Sequence, residues 1–431
     1  MKDIRIGIIG FGTVGAGVAE CILRNGDLIA ERSLIRPVLA RIADLDIDSN
    51  RGVDIPADVL TTDVSRILDA DDIDVVVELV GGTTAALEFI LRALRNGKPV
   101  VTANKALLAE HGEEIFTTAE ENGADVYYEA SVAGGIPVIK AMREGLIGNR
   151  YVEIVGIMNG TCNYILTRME REAASFMDIL RDAQEAGYAE ADPSFDVDGI
   201  DTAHKTTILA SLAYGEWFGM EPLHIEGIRA LALKDIQNAA AMGYRIKLLA
   251  IIKQQDSNVQ MRVHPALIRD TTLLGNVDDV YNAVWIQGDV VGNTMYYGRG
   301  AGREATASAV VADIVDVGLN LKLGSHRRVP AFRAHSGYAH IVPMDEITVR
   351  YYLRLQVEDK PGVLARIAGV FGDANISIAS VSQEERRADS TPVVILTHAA
   401  REGDMQGAVA EIADFEEVLE TPVVLRIEDL G

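Results

Sequence analysis

The chain has 431 residues, of which 48% are hydrophobic, and a formal net charge of −24. That length allows two or three domains with real apolar cores, while the acidity argues against nucleic acid or an anionic membrane as a partner, because phosphate binding needs a basic footprint. Two cysteines, Cys21 and Cys162, are too few for a disulfide framework, the opening MKDIRIGIIG shows no signal-peptide cleavage pattern, and no uncharged run approaches the ~18 apolar residues that span a bilayer, so the expectation is a soluble cytoplasmic protein.

In chain order, the first 130 residues alternate apolar strand-like runs with helical patterns. Ile4 to Gly10, Val38 to Asp44, Asp74 to Val80, Pro99 to Asn104 and Asp125 to Ser131 read as strands that are apolar nearly throughout, as in a parallel sheet covered on both faces. Between them lie helices such as AGVAECILRNG, followed by the intervening GDLIAERSLIRP, and Thr83 to Gly97, which closes on a glycine suited to a left-handed C′ position. This is the pattern of a doubly wound α/β fold of Rossmann type. From about Tyr151 the texture becomes mixed α+β: Ser175 and Asp178 form a capping box before FMDILRDAQEAG, Asp201 to Tyr214 reads as a helix, and RIKLLAIIKQQ with NVQMRVHP reads as a hairpin around Asp256, Ser257 and Asn258. After Pro343 the order is strand, helix, strand, strand, helix, strand, the ferredoxin-like βαββαβ arrangement.

Several motifs carry chemistry. Gly10-Phe11-Gly12-Thr13-Val14-Gly15 follows a strand and opens a helix, the context in which G-x-G-x-x-G lets a pyrophosphate approach backbone N–H groups. At the end of the second strand, Asp44 favours NAD by bonding ribose hydroxyls, whereas Arg41 and Arg51 nearby keep NADP open and a solvated acidic turn is the plain alternative. Lys105, in TANK, sits at the carboxyl edge of the sheet, where it meets a nicotinamide ribose or a substrate oxygen, or else is an ordinary surface lysine.

The densest feature is Gly187 to Lys205, GYAEADPSFDVDGIDTAHK, with Glu190, Asp192, Asp196, Asp198 and Asp201 before one lysine. Its spacing partly matches an EF-hand, but the twelfth position is Lys205, where calcium needs a bidentate Glu. Asp201 and Lys205 share a helix face at i, i+4, either as a surface ion pair or as a carboxylate that aims a catalytic ammonium. Cys162 reads as a small packed residue rather than a nucleophile. Gly302, in the second glycine-rich loop GRGAGRE, returns the chain to the cofactor or is a flexible connection. Glu129 with the turn residues Val132, Gly134 and Ile136 suits a monovalent cation or a sharp turn.

In order and spacing, GFGTVG, TANK, EASVAGGIP, NGTCNYIL, the acidic stretch and GRGAGREATASAV resemble homoserine dehydrogenases over roughly residues 1–345, and residues 349–431, with EDKPGVLARIAGVFGDANISIASV, resemble an ACT regulatory domain. The resemblance implies three domains: 1–130 for NAD(P), completed by part of 300–345; 131–345 for substrate and dimerisation; and 349–431 for regulation. It implies reversible NAD(P)H-dependent reduction of L-aspartate 4-semialdehyde to L-homoserine, with Lys205 as proton donor, Lys105 beside the nicotinamide, Glu190 on the substrate amino group, and Asp196 and Asp201 in the substrate's polar network. It further implies sodium at Glu129, Val132, Gly134 and Ile136; an effector, most naturally L-threonine, at Asp359, Gly362, Asn375 and Ile376; and a homodimer or homotetramer. The ADLD stretch departs from members that carry an Arg for the 2′-phosphate, which leaves NAD or dual use open. Two rival classes are an aspartate-semialdehyde dehydrogenase, which needs an activated thiol, and a non-enzymatic amino-acid sensor.

Overall fold

The structure is a computed structural model and describes residues 2–326, 328–335, 340–383 and 390–430. It divides into two compact units, one of Met1–Gly160, Asp201–Glu221 and Val280–Tyr338, the other of Thr161–Ile200, Pro222–Asp279 and Ala339–Gly431.

The first unit is built on a parallel sheet of β1 (Lys2–Ile9), β2 (Ile35–Ala43), β3 (Leu60–Thr61), β4 (Val75–Glu78), β5 (Val100–Thr102) and β6 (Val126–Tyr127), in the order β3-β2-β1-β4-β5-β6. Every neighbouring pair is parallel, the doubly wound arrangement that the apolar runs imply. Ile4, Ile6 and Ile8 of β1 and Val75 and Val77 of β4 are fully buried, packed with Val18, Ala19 and Ile22 of the first helix and with Ala307, Val310, Ile314 and Val317 of the helix Arg303–Leu323. Three antiparallel strands, Tyr151–Ile157, Tyr281–Gly288 and Gly292–Arg299, also belong to this unit. So does all but the first residue of the helix Ile200–Tyr214, whose Asp201, Thr202, His204, Lys205, Thr206 and Thr207 are buried despite their polarity.

Two expectations shift here. The first helix does not stop near Gly26 but runs from Thr13 to Ser33, with Gly26 facing open space; a mid-helix glycine costs about 1 kcal/mol, and Ile29 packs on the core beyond it. The strand expected over Asp125–Ser131 is short, because Glu129–Ser131 turns into a 3-10 helix. The main-chain N–H of Glu129 donates to the buried Asp313 carboxylate at 2.9 Å, and the Ser131 hydroxyl donates to the Tyr128 carbonyl at 2.6 Å, so local side-chain bonds replace the ladder.

In the second unit, the hairpin Tyr244–Gln255 and Asn258–Arg269 turns at Asp256 and Ser257, in continuous register from Asn258↔Gln255 to Arg269↔Tyr244. Ser175 caps the helix Phe176–Glu185, its hydroxyl oxygen accepting from the Asp178 N–H at 3.3 Å. The C-terminal module has antiparallel strands in the order Val423–Ile427, Thr348–Glu358, Ser390–Thr397, Ile378–Gln383, with helices Val363–Asp373 and Glu402–Ala413. Its core gathers Leu353, Leu355, Ile367, Phe371, Ile395 and Ile412. The last strand also pairs in parallel with the hairpin, Ala266↔Arg426 and Leu267↔Ile427, so module and hairpin share one sheet.

Candidate active site

The glycine motif has the backbone that phosphate binding requires. Gly10 has φ +101°, and a Cβ there would lie 2.6 Å from the Leu79 carbonyl oxygen; a Cβ on Gly15 would lie 2.1 Å from the Gly10 oxygen. Gly12 precedes Thr13 and Val14 at the helix start, with no side-chain cap and no acidic residue in the first turn. That helix terminus presents N–H groups and the positive end of its dipole to an anion, so the residues fit a dinucleotide pyrophosphate. Gly302, with φ +118°, opens the helix Arg303–Leu323 in the same unit.

Asp44 does more for the loop than a ribose contact alone would predict: its Oδ2 accepts from the Phe11 N–H at 2.5 Å and its Oδ1 from the Asp46 N–H at 2.9 Å. Arg41 pairs with Asp72 at 2.7 Å and Arg51 with Asp46 at 2.9 Å. Both arginines that left room for a 2′-phosphate thus already face carboxylates.

The TANK turn is held from below by a carboxylate. Glu78, fully buried at the end of β4, accepts from the Thr102 hydroxyl at 2.6 Å and from the Val80 N–H at 2.7 Å. Burial pushes its carboxyl up to about 7 against the opposite pull of those two bonds. Thr102 accepts from the Asn104 N–H at 3.0 Å; Asn104 caps the helix Lys105–Glu121 by accepting from the Leu107 N–H at 3.1 Å and donates to the Gly82 carbonyl at 2.8 Å.

Lys105, so placed, brings Nζ to 3.2 Å from Asp201 Oδ1. Lys205 donates to Asp201 Oδ2 at 2.7 Å and to the Met158 carbonyl at 2.6 Å, and Asn159 donates to the same Oδ2 at 2.8 Å. The side chains of Asp201 and Lys205 are 6% and 9% exposed, so theirs is not a surface ion pair. Burial pushes Asp201 up, but the charges of Lys205 and Lys105 outweigh it and hold the carboxyl at about 2. Burial also pushes His204, on the same helix, below the ordinary imidazole value. One buried, ionised carboxylate between two ammonium groups can aim either of them as a proton donor.

In the second unit the other acidic residues separate. Glu190 is exposed; Asp192 accepts from the Ser194 N–H at 3.0 Å in an Asx turn; Asp196 lies in the short helix Ser194–Val197. Asp198 is paired with Arg229. Cys162 is fully buried, its thiol 3.2 Å from the Asp196 carbonyl, a packed residue. Among the described residues no group of His, Cys, Asp or Glu is placed to hold a metal ion.

Family models match this chain as homoserine dehydrogenase over residues 137–315, homoserine dehydrogenase NAD-binding domain over 10–129, and ACT domain over 351–417. It is 46% identical to homoserine dehydrogenase of Pseudomonas aeruginosa and 44% identical to that of Neisseria gonorrhoeae, each over the whole of both chains. The chain belongs to the homoserine dehydrogenase family. The crystal structure of a homoserine dehydrogenase from Thiobacillus denitrificans superposes with a TM-score of 0.95 at 44% identity, over 100% of this chain and 99% of that one. A hyperthermophilic archaeal homoserine dehydrogenase in complex with NADPH matches at 28% identity and TM-score 0.62, over 74% of this chain and 98% of that one. As a homoserine dehydrogenase the protein is an oxidoreductase with an NAD(P)-binding domain and a C-terminal ACT domain; no helix among its described residues is long and apolar enough to cross a membrane.

Two further stretches singled out from the sequence differ from the lysine cluster. Glu129 turns its carboxylate onto the next helix start, accepting from the Ile139 N–H at 2.9 Å and the Lys140 N–H at 2.7 Å, and burial pushes it up to about 7. Between it and Ile136 the chain reverses sharply, with positive φ at Ala133 and Gly134 after Val132. In the ACT module, Asp359 and Gly362 stand before the eleven-residue helix Val363–Asp373, and Asn375 (φ +58°) and Ile376 (4% exposed) stand after it. That helix rises ~16 Å, so the two pairs lie at its opposite ends rather than together.

Glu78, Asn159 and the Met158 carbonyl were not singled out from sequence. A charged residue inside the apolar run DVVVELV is the one signal for Glu78; MNG before Cys162 carried no mark that its Asn would meet Asp201.

Proposed function

We propose that the chain catalyses the reversible interconversion of L-homoserine and L-aspartate 4-semialdehyde, in the route to threonine, methionine and isoleucine, with Lys205 as proton donor. The nicotinamide cofactor, held by Gly10 to Gly15, Lys105 and Gly302, supplies the hydride when bound. As charge develops on the aldehyde oxygen, the Lys205 ammonium stabilises it and gives it a proton. Asp201 keeps the Nζ of Lys205 and of Lys105 in place, while Glu190 and Asp196 take the substrate's ammonium and polar groups. The observation that carries this reading is the Asp201 carboxylate, 6% exposed, set 2.7 Å and 3.2 Å from two lysine Nζ atoms.

The test follows nicotinamide absorbance during L-homoserine oxidation with NAD and NADP in parallel. Lys205→Ala is expected to lose turnover while still binding the dinucleotide; an active variant sinks the assignment. Asp44, Asp46 and Asp48 in the turn after β2 support use of NAD at least alongside NADP.

Around this core we propose domains at 1–130 with part of 300–345, 131–345 and 349–431, in a cytoplasmic homodimer or homotetramer. Glu129, with the carbonyls of Val132, Gly134 and Ile136, holds a sodium ion; its two oxygens accept one main-chain N–H each and keep lone pairs for the cation, and sodium-dependent turnover in a titration against choline is the check. L-Threonine acts at the ACT module through Asp359, Gly362, Asn375 and Ile376, and the same absorbance assay with added threonine tests it. The sign and size of that coupling are for the assay to read.

A further inference from the structure

Within the second unit, the acidic turn that ends at Gly199 is fastened by a segment of four residues, Glu226 to Arg229. The Ile228 N–H donates to the Val197 carbonyl at 2.8 Å. Gly227 lies against the same backbone: a Cβ there would come 2.2 Å from the Val197 oxygen and 2.5 Å from Asp198 Cα. Arg229 pairs with Asp198 and donates to the Ser194 hydroxyl at 2.8 Å. Exposed pairs contribute little by themselves, so the backbone contact is the stronger part of this end.

The other end of the segment is Glu226. Its N–H donates to the Val263 carbonyl at 2.8 Å, and its carboxylate receives Arg426 at 2.9 and 3.0 Å. Arg426 is 3% exposed and grips Glu402 with two bonds of 2.6 and 2.8 Å. Glu402 opens the last helix of the ACT module and also accepts from the Tyr351 hydroxyl at 2.9 Å. A planar guanidinium shared between two carboxylates has little orientational freedom.

From Glu226 to Arg229 the chain spans at most ~11 Å when extended, too short to absorb a displacement at either end. We propose that Glu226–Arg229 is a positioning strap that sets the acidic turn carrying Glu190 and Asp196, and that Arg426 makes this setting follow the state of the ACT module. The role given to Glu190 and Asp196 rests on the catalytic reading proposed for this site; the mechanical link does not.

The experiment uses full-length protein and two readouts: hydrogen exchange of the peptide covering residues 187–199, and the KM and kcat for L-homoserine. Gly227→Ala forces the turn away and is expected to speed exchange there about tenfold and to raise KM about tenfold, with kcat changed less than about threefold because the lysine cluster is untouched. Glu226→Gln leaves the Arg426–Glu402 pair intact and is expected to change both readouts in the same direction, by about threefold. Wild-type exchange at 187–199 in Gly227→Ala overturns the strap, and wild-type exchange in Glu226→Gln overturns its connection to Arg426. Faster exchange with KM unmoved upholds the strap and removes Glu190 and Asp196 from substrate binding. If the wild-type protein does not oxidise homoserine, the catalytic reading falls and exchange alone still decides the strap. Should Gly227→Ala not fold, Glu226→Gln stands alone: faster exchange at 187–199 upholds both the strap and its connection to Arg426, and wild-type exchange overturns both.

Discussion

Two buried charge clusters in this molecule make different chemistry from similar ingredients. Around Asp201 a single carboxylate faces two lysines, whereas around Glu428 and Glu402 the carboxylates are met by Arg262, Lys253 and Arg426. Burial pushes both Asp201 and Glu428 up, and in both the neighbouring cations win and hold the carboxyl at about 2. His264, beside the second cluster, is pushed down to about 3, first by burial and then by Arg426 and Arg262, so it stays neutral and its Nε2 accepts from Arg262 Nε at 3.2 Å. The difference is the buried cation, Lys205 in the first cluster and Arg262 and Arg426 in the second, where Lys253 lies nearer the surface. A lysine can surrender its proton, and an arginine keeps its charge at any working pH. On the proposed function the lysine cluster is the one that reacts, and the guanidinium cluster can only hold.

Exchanging the cations is the sharpest way to break that contrast. Lys205→Arg retains the charge but not the transferable proton, so it should be as inactive as Lys205→Ala, about 10³-fold below wild type in homoserine oxidation; substantial activity would show that charge alone suffices. Next in size, Arg262→Met leaves Glu428 buried without its guanidinium and should lower stability by about 3–5 kcal/mol in urea denaturation, while Arg262→Met with Glu428→Leu should recover much of the loss. A smaller effect is set by pH. Asp201 and Glu428, depressed to about 2, contribute stability present above the unfolded carboxylate range near pH 4 and lost as pH falls towards 2. Glu78, raised to about 7, has the opposite sign: its contribution is full below about pH 4.5 and is lost as pH rises through 7. Glu78→Gln should therefore flatten the decline in melting temperature between pH 5 and 8. The least change is expected at the exposed Arg51–Asp46 pair, where Asp46→Ala frees the guanidinium and should shift the kcat/KM ratio about fivefold towards NADP.

How much of this was legible in sequence depends on whether the signal is local. The parallel sheet was visible because each strand is apolar on both faces, and the C-terminal module because its six elements follow in order. Gly10 and Gly15 were legible since their function forbids a side chain, and the i, i+4 spacing of Asp201 and Lys205 put them on one face. Glu78 and Asn159 were not, because each acts on a residue far along the chain: Glu78 on Thr102, Asn159 on Asp201. The continuation of the first helix through Gly26 was missed because core packing by Ile29 overrides a local glycine penalty.

The nucleotide-binding sheet has a temporal consequence. Its last strand ends at Tyr127, but one of the two helices packed in the core with Ile4 and Ile8 comes from Arg303–Leu323. At ~5–20 residues per second, a ribosome needs roughly 10–40 s to make the intervening ~190 residues. During that interval the nascent sheet carries an apolar face covered only by the first helix, so during synthesis this protein should be a client of ribosome-associated chaperones until its final third emerges.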